Sequence, residues 1–492
     1  MAILLVAAVV GALAISLRIS ALQNSALQNY LHQATTISLQ VTTDPVLVAP
    51  KVVGTAFARP AYSFIGQATQ VADRYRMRIP VRVIASTRSV AHLLPGQRIT
   101  VFAKVLPSKE RRVAALLIVA QQVTVESKAS TFAHTLSVIR SGLRTASGSG
   151  DAGALIPGMV IGDVSKQSIE FKDEMRRSGL THLVAVSGAN FAIVSAFVLW
   201  AMQFIFRRKN FRILATALFL LAFIALVRPS PSVLRAAAMA AVLLYAHATR
   251  QGRDSLPALG FAITAVVFLD PFQARDPGFA LSVLATAGLL LLAPKIRPQF
   301  LAPPIAALIF CAPVIVALSG YISPMSIVAN VLVAPAVTPI TIVGFIAALI
   351  SPFSLQVAQA LIFLIKPCAH WITVIAEWSS TFPVLTLATG TLGFLATILI
   401  VLLIYWGKRY VALALVVIIL ALAWLQRFPA GDWSIANCDV GQGDALVIHL
   451  QENRAIVIDV GSDPQIIDRC LHQLGIKVIP LLILTHSHAD HV

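Results

Sequence analysis

Between residues 183 and 426, apolar stretches of membrane-crossing length follow one another with only short polar breaks. That pattern leaves little freedom. A helix needs roughly 20 apolar residues to cross the hydrocarbon layer, and in lipid every backbone polar group must find its partner inside the protein. Spans are expected near 183–206, 212–227, 232–248, 256–269, 279–293, 301–318, 325–350, 354–377, 387–405 and 411–426. Only 12% of the 492 residues are charged, against about 25% in soluble domains, so the lipid bilayer is the chain's first partner. Residues 1–20 are apolar without a basic lead-in, which reads as an uncleaved first transmembrane helix rather than a signal peptide.

The net charge of +17 has two readings. One is the Lys/Arg excess that orients inner-membrane proteins; the other adds an anionic polymer such as DNA. Alternate loops carry Arg207, Arg208, Lys209, Arg212, Arg250, Arg253, Lys295, Arg297, Lys408 and Arg409, whereas the intervening loops carry Arg228 and Arg275. This asymmetry predicts an inner-membrane protein with the first set in the cytoplasm. The regions before the spans and after residue 427 then lie outside the cytoplasm.

From 33 to 128 the pattern changes to short β-type runs at 36–41, 46–56, 76–85, 97–105 and 116–125, separated by turn formers. Five short strands in so few residues predict a small β-barrel of the oligonucleotide/oligosaccharide-binding (OB) type. Arg74, Arg76, Arg78 and Arg82 alternate and are expected on one strand face, as a solvated basic strand or a nucleic-acid groove. Residues 142–180 read as a linker, Gly/Ser-rich at 145–153, followed by an interfacial amphipathic helix over 165–177. Cys311, Cys368, Cys438 and Cys470 form no Cys-x-x-Cys pair and are expected to be buried free thiols.

The chain closes on Thr485-His486-Ser487-His488-Ala489-Asp490-His491-Val492, preceded by the apolar run Ile479-Pro480-Leu481-Leu482-Ile483-Leu484. The run predicts a strand buried on both faces, delivering His486, His488, Asp490 and His491 as metal ligands at its carboxyl end. Imidazole and carboxylate donors suit a pair of ions that generate hydroxide and steady a phosphodiester displacement. Asp439-Val440-Gly441-Gln442-Gly443-Asp444 and Asp459-Val460-Gly461 place further acids and glycines at strand ends.

Within the spans, Ser187-Gly188-Ala189-Asn190 brings small and neutral polar groups, read either as part of a conduit or as ordinary close helix packing. Pro324, Pro335 and Pro339 predict a broken helix lining a cavity or buried in protein. Arg228, Arg235 and Asn330 are costly in lipid and are expected to face the interior. Arg235 is the candidate for phosphate contact, with structural pairing as the alternative.

Residues 433–492 resemble the first third of a metallo-β-lactamase-type hydrolase domain. Gly158-Met159-Val160-Ile161-Gly162-Asp163 and the stretch from Ser178-Gly179-Leu180 through Ser187-Gly188-Ala189-Asn190 resemble the hallmark of the ComEC family of competence proteins, as do Pro231-Ser232-Val233-Leu234-Arg235-Ala236 and residues 325–339. The resemblance implies a polytopic α-helical membrane protein with an N-terminal OB-like β-barrel (33–128), a competence core (181–427) and a truncated α/β metallo-β-lactamase-like domain (432–492). It implies passage of single-stranded DNA during natural transformation along a path that includes Ser187, Gly188, Asn190 and Arg235. It further implies DNA binding by the barrel, partners among other competence-machinery proteins, and degradation of the non-imported strand by a completed hydrolase domain. His486 and His488 would bind one ion, and Asp490 and His491 the other, as a dinuclear zinc or manganese site whose later ligands this chain lacks. The competing readings are a membrane-anchored metal-dependent hydrolase or nuclease, a small-solute permease, and an inactive truncated relic.

Overall fold

The structure, a computed structural model, describes all residues except 1, 49–51, 54–55, 58–59, 73, 87, 122, 185, 229–230, 250–254, 407–416, 419–420, 423–424, 426–428, 430–431 and 492. It divides into a membrane unit, residues 1–15 and 135–426, and a second unit of residues 16–134 and 427–492. The N-terminal apolar segment is helix α1 (Ala2–Gln23).

The β region closes into a five-stranded barrel of β1 (Ala34–Val41), β2 (Ala61–Val71), β3 (Tyr75–Ala85), β4 (Arg98–Pro107) and β5 (Ala115–Val119). The strand order is β1-β2-β3-β5-β4, and β4 returns to pair with β1. Only β3 and β5 run parallel. This order and closure are those of an OB barrel. Period-two patterning drives it: in β4, Ile99, Val101, Ala103 and Val105 point into the core while Arg98, Phe102 and Lys104 face out. A 3-10 turn, Arg88–His92, adds Val90 to the barrel core together with buried Leu93. The expected strand 46–56 is instead a three-residue pairing at Val46–Val48 and a separate two-residue hairpin, and the long strand β2 had no counterpart among the expected runs. Gly66 and the polar Gln67, Thr69 and Gln70 dilute its apolar signal. Gly66 nevertheless faces inward, because a Cβ there would stand 2.6 Å from Leu39 Cδ1.

The membrane unit contains α2 (Thr131–Ser147), α3 (Gly150–Ile161), α4 (Ile169–Arg177), α5 (Gly188–Ile205), α6 (Lys209–Val227), α7 (Pro231–Thr249), α8 (Ser255–Leu269), α9 (Pro277–Leu291), α10 (Ala302–Ser319), α11 (Ser326–Ile350), α12 (Leu355–Ser380) and α13 (Gly390–Trp406), with a short antiparallel pair of β6 (Tyr321–Ile322) and β7 (Leu385–Thr386). Among the described residues six helices are long and apolar enough to cross a membrane: α5, α6, α9 with its extension to Lys295, α10, α11 and α12. The span expected at 411–426 lies almost wholly outside the described residues.

The expected linker is largely helical. Gly148 and Gly150, both at positive φ, make only a short break between α2 and α3. Residues 153–161 of α3 are all buried, packed against α11 and α12, because an apolar helix gains more by entering the core than by lying in solvent. Glycines permit the approach: a Cβ on Gly158 would meet Val184 O at 2.3 Å, and one on Gly344 of α11 would meet Val160 Cγ2 at 2.6 Å. The amphipathic segment is the shorter helix α4, capped by Ser168 Oγ accepting from Phe171 N–H at 3.0 Å, with Phe171 and Met175 buried.

The expected break at the prolines does not occur. Pro324 precedes α11, which runs on through Pro335 and Pro339, and α12 continues through Pro367. Each internal proline withdraws one N–H and crowds a carbonyl one turn back, and neighbours can satisfy what is released. Trp371 Nε1 of α12 donates to Leu332 O of α11 at 2.9 Å, beside a crevice of about 450 Å³ lined by Leu332, Pro335, Ala336, Pro367, Cys368 and Trp371. Trp371→Phe is expected to cost about 1 kcal/mol and to lower the melting temperature of the detergent-solubilised protein.

An ion cluster ties the family-like stretch at 158–163 to its surroundings. Arg140 Nη1 donates to Ile161 O (2.7 Å) and Leu226 O (2.9 Å), near the carboxyl ends of α3 and α6. Asp163 lies 3.0 Å from Arg144 Nη2 and 3.8 Å from Arg140 Nη2, and its Oδ1 accepts from Ser165 N–H and Oγ. Burial alone would raise the Asp163 pKa. The Ser165 hydroxyl, Arg144 and Arg140 outweigh it and hold the carboxyl below its ordinary range.

The C-terminal region is a four-stranded sheet, β8 (Ile435–Asn437), β9 (Leu446–His449), β10 (Arg454–Ile458) and β11 (Val478–Ile483), with α14 (Pro464–Gln473) crossing between β10 and β11. The first three strands are antiparallel, and β11 joins β10 in parallel. Ile467, Cys470 and Leu471 of α14 pack with Ala436, Val447, Ala455 and Val457. Two expectations fail here. Cys438 and Cys470 are joined in a disulfide, 6.0 Å apart at Cα, because the end of β8 and the inner face of α14 meet in this core; Cys311 and Cys368 are free. The strand β11 is exposed along its whole length rather than buried on both faces, because it forms the sheet edge and α14 packs with the three strands beside it.

Candidate functional site

The terminal histidines are organised by a residue from another strand. Asp459 follows β10 at φ +56, and its N–H donates to Ile483 O at 2.8 Å, which fixes it beside the end of β11. Its carboxylate accepts from Thr485 N–H (2.8 Å) and Thr485 Oγ1 (2.7 Å), and Oδ2 lies 3.0 Å from His491 Nδ1. Burial would raise the Asp459 pKa, but the Thr485 donors and His491 draw it below the ordinary carboxylate range, while the bond to Asp459 raises that of His491. With Nδ1 held in this way, the ring leaves Nε2 available as a donor atom, an arrangement shared with imidazoles that a carboxylate orients for metal binding.

Two loops meet at this place. A Cβ on Gly443, at φ +90, would stand 1.6 Å from Asp490 O, so residues 439–444 and 485–491 touch at backbone distance. The ring of His486 lies 4.6 Å from that of His488 and 4.0 Å from that of His491, centroid to centroid. The three imidazoles and Asp490 are thus neighbours, and their donor types fit zinc or manganese. Among the described residues, however, no three His, Cys, Asp or Glu side chains converge on one ion position. The orienting roles of Asp459 and Thr485 emerge only in the structure. Their signal is an acid at the end of one strand and a hydroxyl at the end of the next.

In the membrane unit the sequence's polar cluster divides. Ser187 is the N-cap of α5, its Oγ accepting from Asn190 N–H at 3.2 Å, so the helix starts later than the span expected from 183. Asn190 is fully buried and its Nδ2 donates to Met159 O of α3 at 3.0 Å. The Arg235 guanidinium lies against Gly188: Nη2 is 2.5 Å from where a Cβ would stand. Its Nη1 donates to Ser282 O at 2.5 Å and to Thr286 Oγ1, both on α9. The structure therefore brings Ser187, Gly188 and Arg235 together and turns Asn190 toward α3. Asn330 is half-buried and donates to Ser326 O of its own helix at 2.8 Å.

The barrel arginines share less than their spacing implied. Arg74 precedes β3 and lies over the Tyr75 ring at 5.4 Å, so the common strand face holds Arg76, Arg78 and Arg82. Arg78 donates to Gln67 Oε1 at 3.2 Å, and Arg82 bonds Glu110 Oε2 at 2.8 Å and Ser63 Oγ at 3.0 Å. Glu110 neutralises Arg82, a pairing invisible in a local pattern.

The profile of the family described as "Competence protein" matches residues 159–414, just over half of the chain, and that of the "Metallo-beta-lactamase superfamily" matches 438–492. The chain is 23% identical over 379 residues to "ComE operon protein 3" of Bacillus subtilis (strain 168), covering 70% of this chain and 49% of that protein. It therefore spans about half the length of the curated relative it matches. No solved structure matches.

Proposed function

Because the chain belongs to the competence protein family, we propose that its helical core carries single-stranded DNA inward across the bacterial inner membrane during natural transformation. The observation that carries this reading is that the family match lies on the membrane core, residues 159–414, and not on the terminal metal motif. The buried Arg235 beside the polar start of α5 supports it, since a cation enclosed by helices marks a path for anions. Backbone electrostatics and stacking would bind the strand with little sequence preference. On this reading Arg76 and Arg78 are the barrel's principal contacts with incoming DNA. Deleting the gene is expected to abolish transformation by linear DNA; import at the parental rate would refute the reading.

The C-terminal region has an accessory role in this proposal. His486, His488, Asp490 and His491 would hold zinc or manganese, and the metal would supply hydroxide for phosphodiester cleavage. Asp459 would orient His491 and keep its Nε2 toward the ion. As alternatives, a membrane-anchored nuclease predicts that His486→Ala and Asp490→Ala abolish function, whereas a conduit still imports single strands with both changes.

Two observations support an outward C-terminal region: the basic residues of alternate loops, and a disulfide, which persists in oxidising compartments. Cys438 and Cys470 are expected to resist alkylation in intact cells until a reductant is added, whereas Cys311 remains a thiol. Alkylation of Cys438 without reductant would overturn this orientation.

A further inference from the structure

We propose that Arg235 and the N-terminus of α5 form a seat for one phosphodiester of the passing strand, with Thr286 as its positioning residue. The identity of the ligand rests on the strand-uptake reading; the seat itself rests on geometry. Arg235 is 5% exposed, and among the described residues its partners are the Ser282 carbonyl and the Thr286 hydroxyl, both neutral. Its Nε is buried with no partner among them. A guanidinium enclosed without a counter-charge is costly, and its neighbour makes the cost greater. The start of an 18-residue helix carries a partial positive charge, so cation and helix end repel unless an anion lies between them.

The free donors point the same way. In the first turn of α5, the Asn190 N–H goes to Ser187 Oγ and the Phe191 N–H to Ser187 O. The N–H groups of Gly188 and Ala189 have no acceptor among the described residues. Two backbone donors and a guanidinium at one helix start match the oxygens of a phosphodiester. Ser187 and Gly188 are half-buried and Ala189 is exposed, so the seat can be reached. Gly188 is required because any side chain would displace the guanidinium. Thr286 Oγ1 itself donates to Ser282 O at 3.0 Å, which turns its lone pairs toward Arg235. Helices that begin inside a membrane protein and present their N-termini to anionic groups occur in transporters.

The test uses the full chain in lipid nanodiscs with a fluorescent 20-nucleotide oligo-dT, its uncharged methylphosphonate analogue, and inorganic phosphate as competitor. The wild type is expected to prefer the phosphodiester strand. Arg235→Gln should weaken that preference several-fold and reduce the salt slope of binding by about 0.7, the loss of one single-strand phosphate contact. Arg235→Lys should restore most of the affinity, and Thr286→Val should weaken binding several-fold whereas Thr286→Ser, which keeps the hydroxyl, retains it. If Arg235→Gln does not fold, Gly188→Ala serves, since its Cβ displaces the guanidinium. An unchanged salt slope and an unchanged preference in a folded variant overturn the seat. If gene deletion leaves DNA import intact while phosphate binding still depends on Arg235, the seat stands and the strand is overturned as its ligand.

Discussion

Arg140→Leu is expected to destabilise the membrane unit by about 3–5 kcal/mol, the usual cost of breaking a buried, hydrogen-bonded ion cluster. Leucine leaves the Ile161 and Leu226 carbonyls without the donor that reaches both, and it strips Asp163 of one of its two arginines. The fall should appear as a lower melting temperature in detergent and as reduced accumulation of full-length protein. Asp163→Asn should recover part of the loss in the Arg140→Leu background, because it removes the charge left behind; a double variant no better than the single would refute the coupling. The same cluster sets a pH window. The folded-state pKa of Asp163 is depressed, so its contribution is present above the ordinary carboxylate value and is lost as pH falls through the folded value.

Gly443→Ala is expected to separate the two loops of the candidate metal centre. The new Cβ would stand 1.6 Å from Asp490 O, and the residue would be held at φ +90, where L residues are strained by about 1–2 kcal/mol before any clash is counted. The Asp490 backbone must then move, taking the neighbouring His491 off Asp459. Limited proteolysis of the full chain should cut within 485–491 several-fold faster in the variant, and bound zinc, measured after dialysis, should fall. Gly441→Ala is the control. It too has positive φ, but a methyl group added there would meet no atom within 4 Å, so it should suffer the strain without the separation. Equal effects from both would show that backbone strain, not loop contact, is responsible.

Much of the fold was legible because lipid permits few solutions. Long apolar runs become helices, and nine of the ten expected spans coincide with helices among the described residues. The barrel was legible in class but not in detail. The strand β2 is illegible locally because Gly66 and three polar residues blur its alternation, although it pairs with both β1 and β3. A proline by itself does not locate a break. Pro335 and Pro339 mark weak points of a helix, but whether it breaks depends on groups such as Trp371 that lie far away in sequence.

The terminal donors were legible as a set because His486, His488, Asp490 and His491 fall within six residues and need no long-range information. Their orientation was not, since Asp459 comes from 26 positions before Thr485. The disulfide was equally hidden: Cys438 and Cys470 are 32 residues apart, and nothing in that spacing shows that their Cα atoms lie 6.0 Å apart.

By itself the sequence determined that this is a multi-pass membrane protein with a small barrel before the spans and a histidine-rich loop after a strand. Periodicity, apolar length and ligand spacing are local properties, and local properties survive in one dimension. Only the tertiary structure decided which charges are neutralised and which are not. Arg82 meets Glu110 and Arg140 meets Asp163, whereas Arg235 comes to rest against the start of a helix with neutral partners among the described residues. The energy of a charge depends on what surrounds it in space, and no pattern along the chain records that.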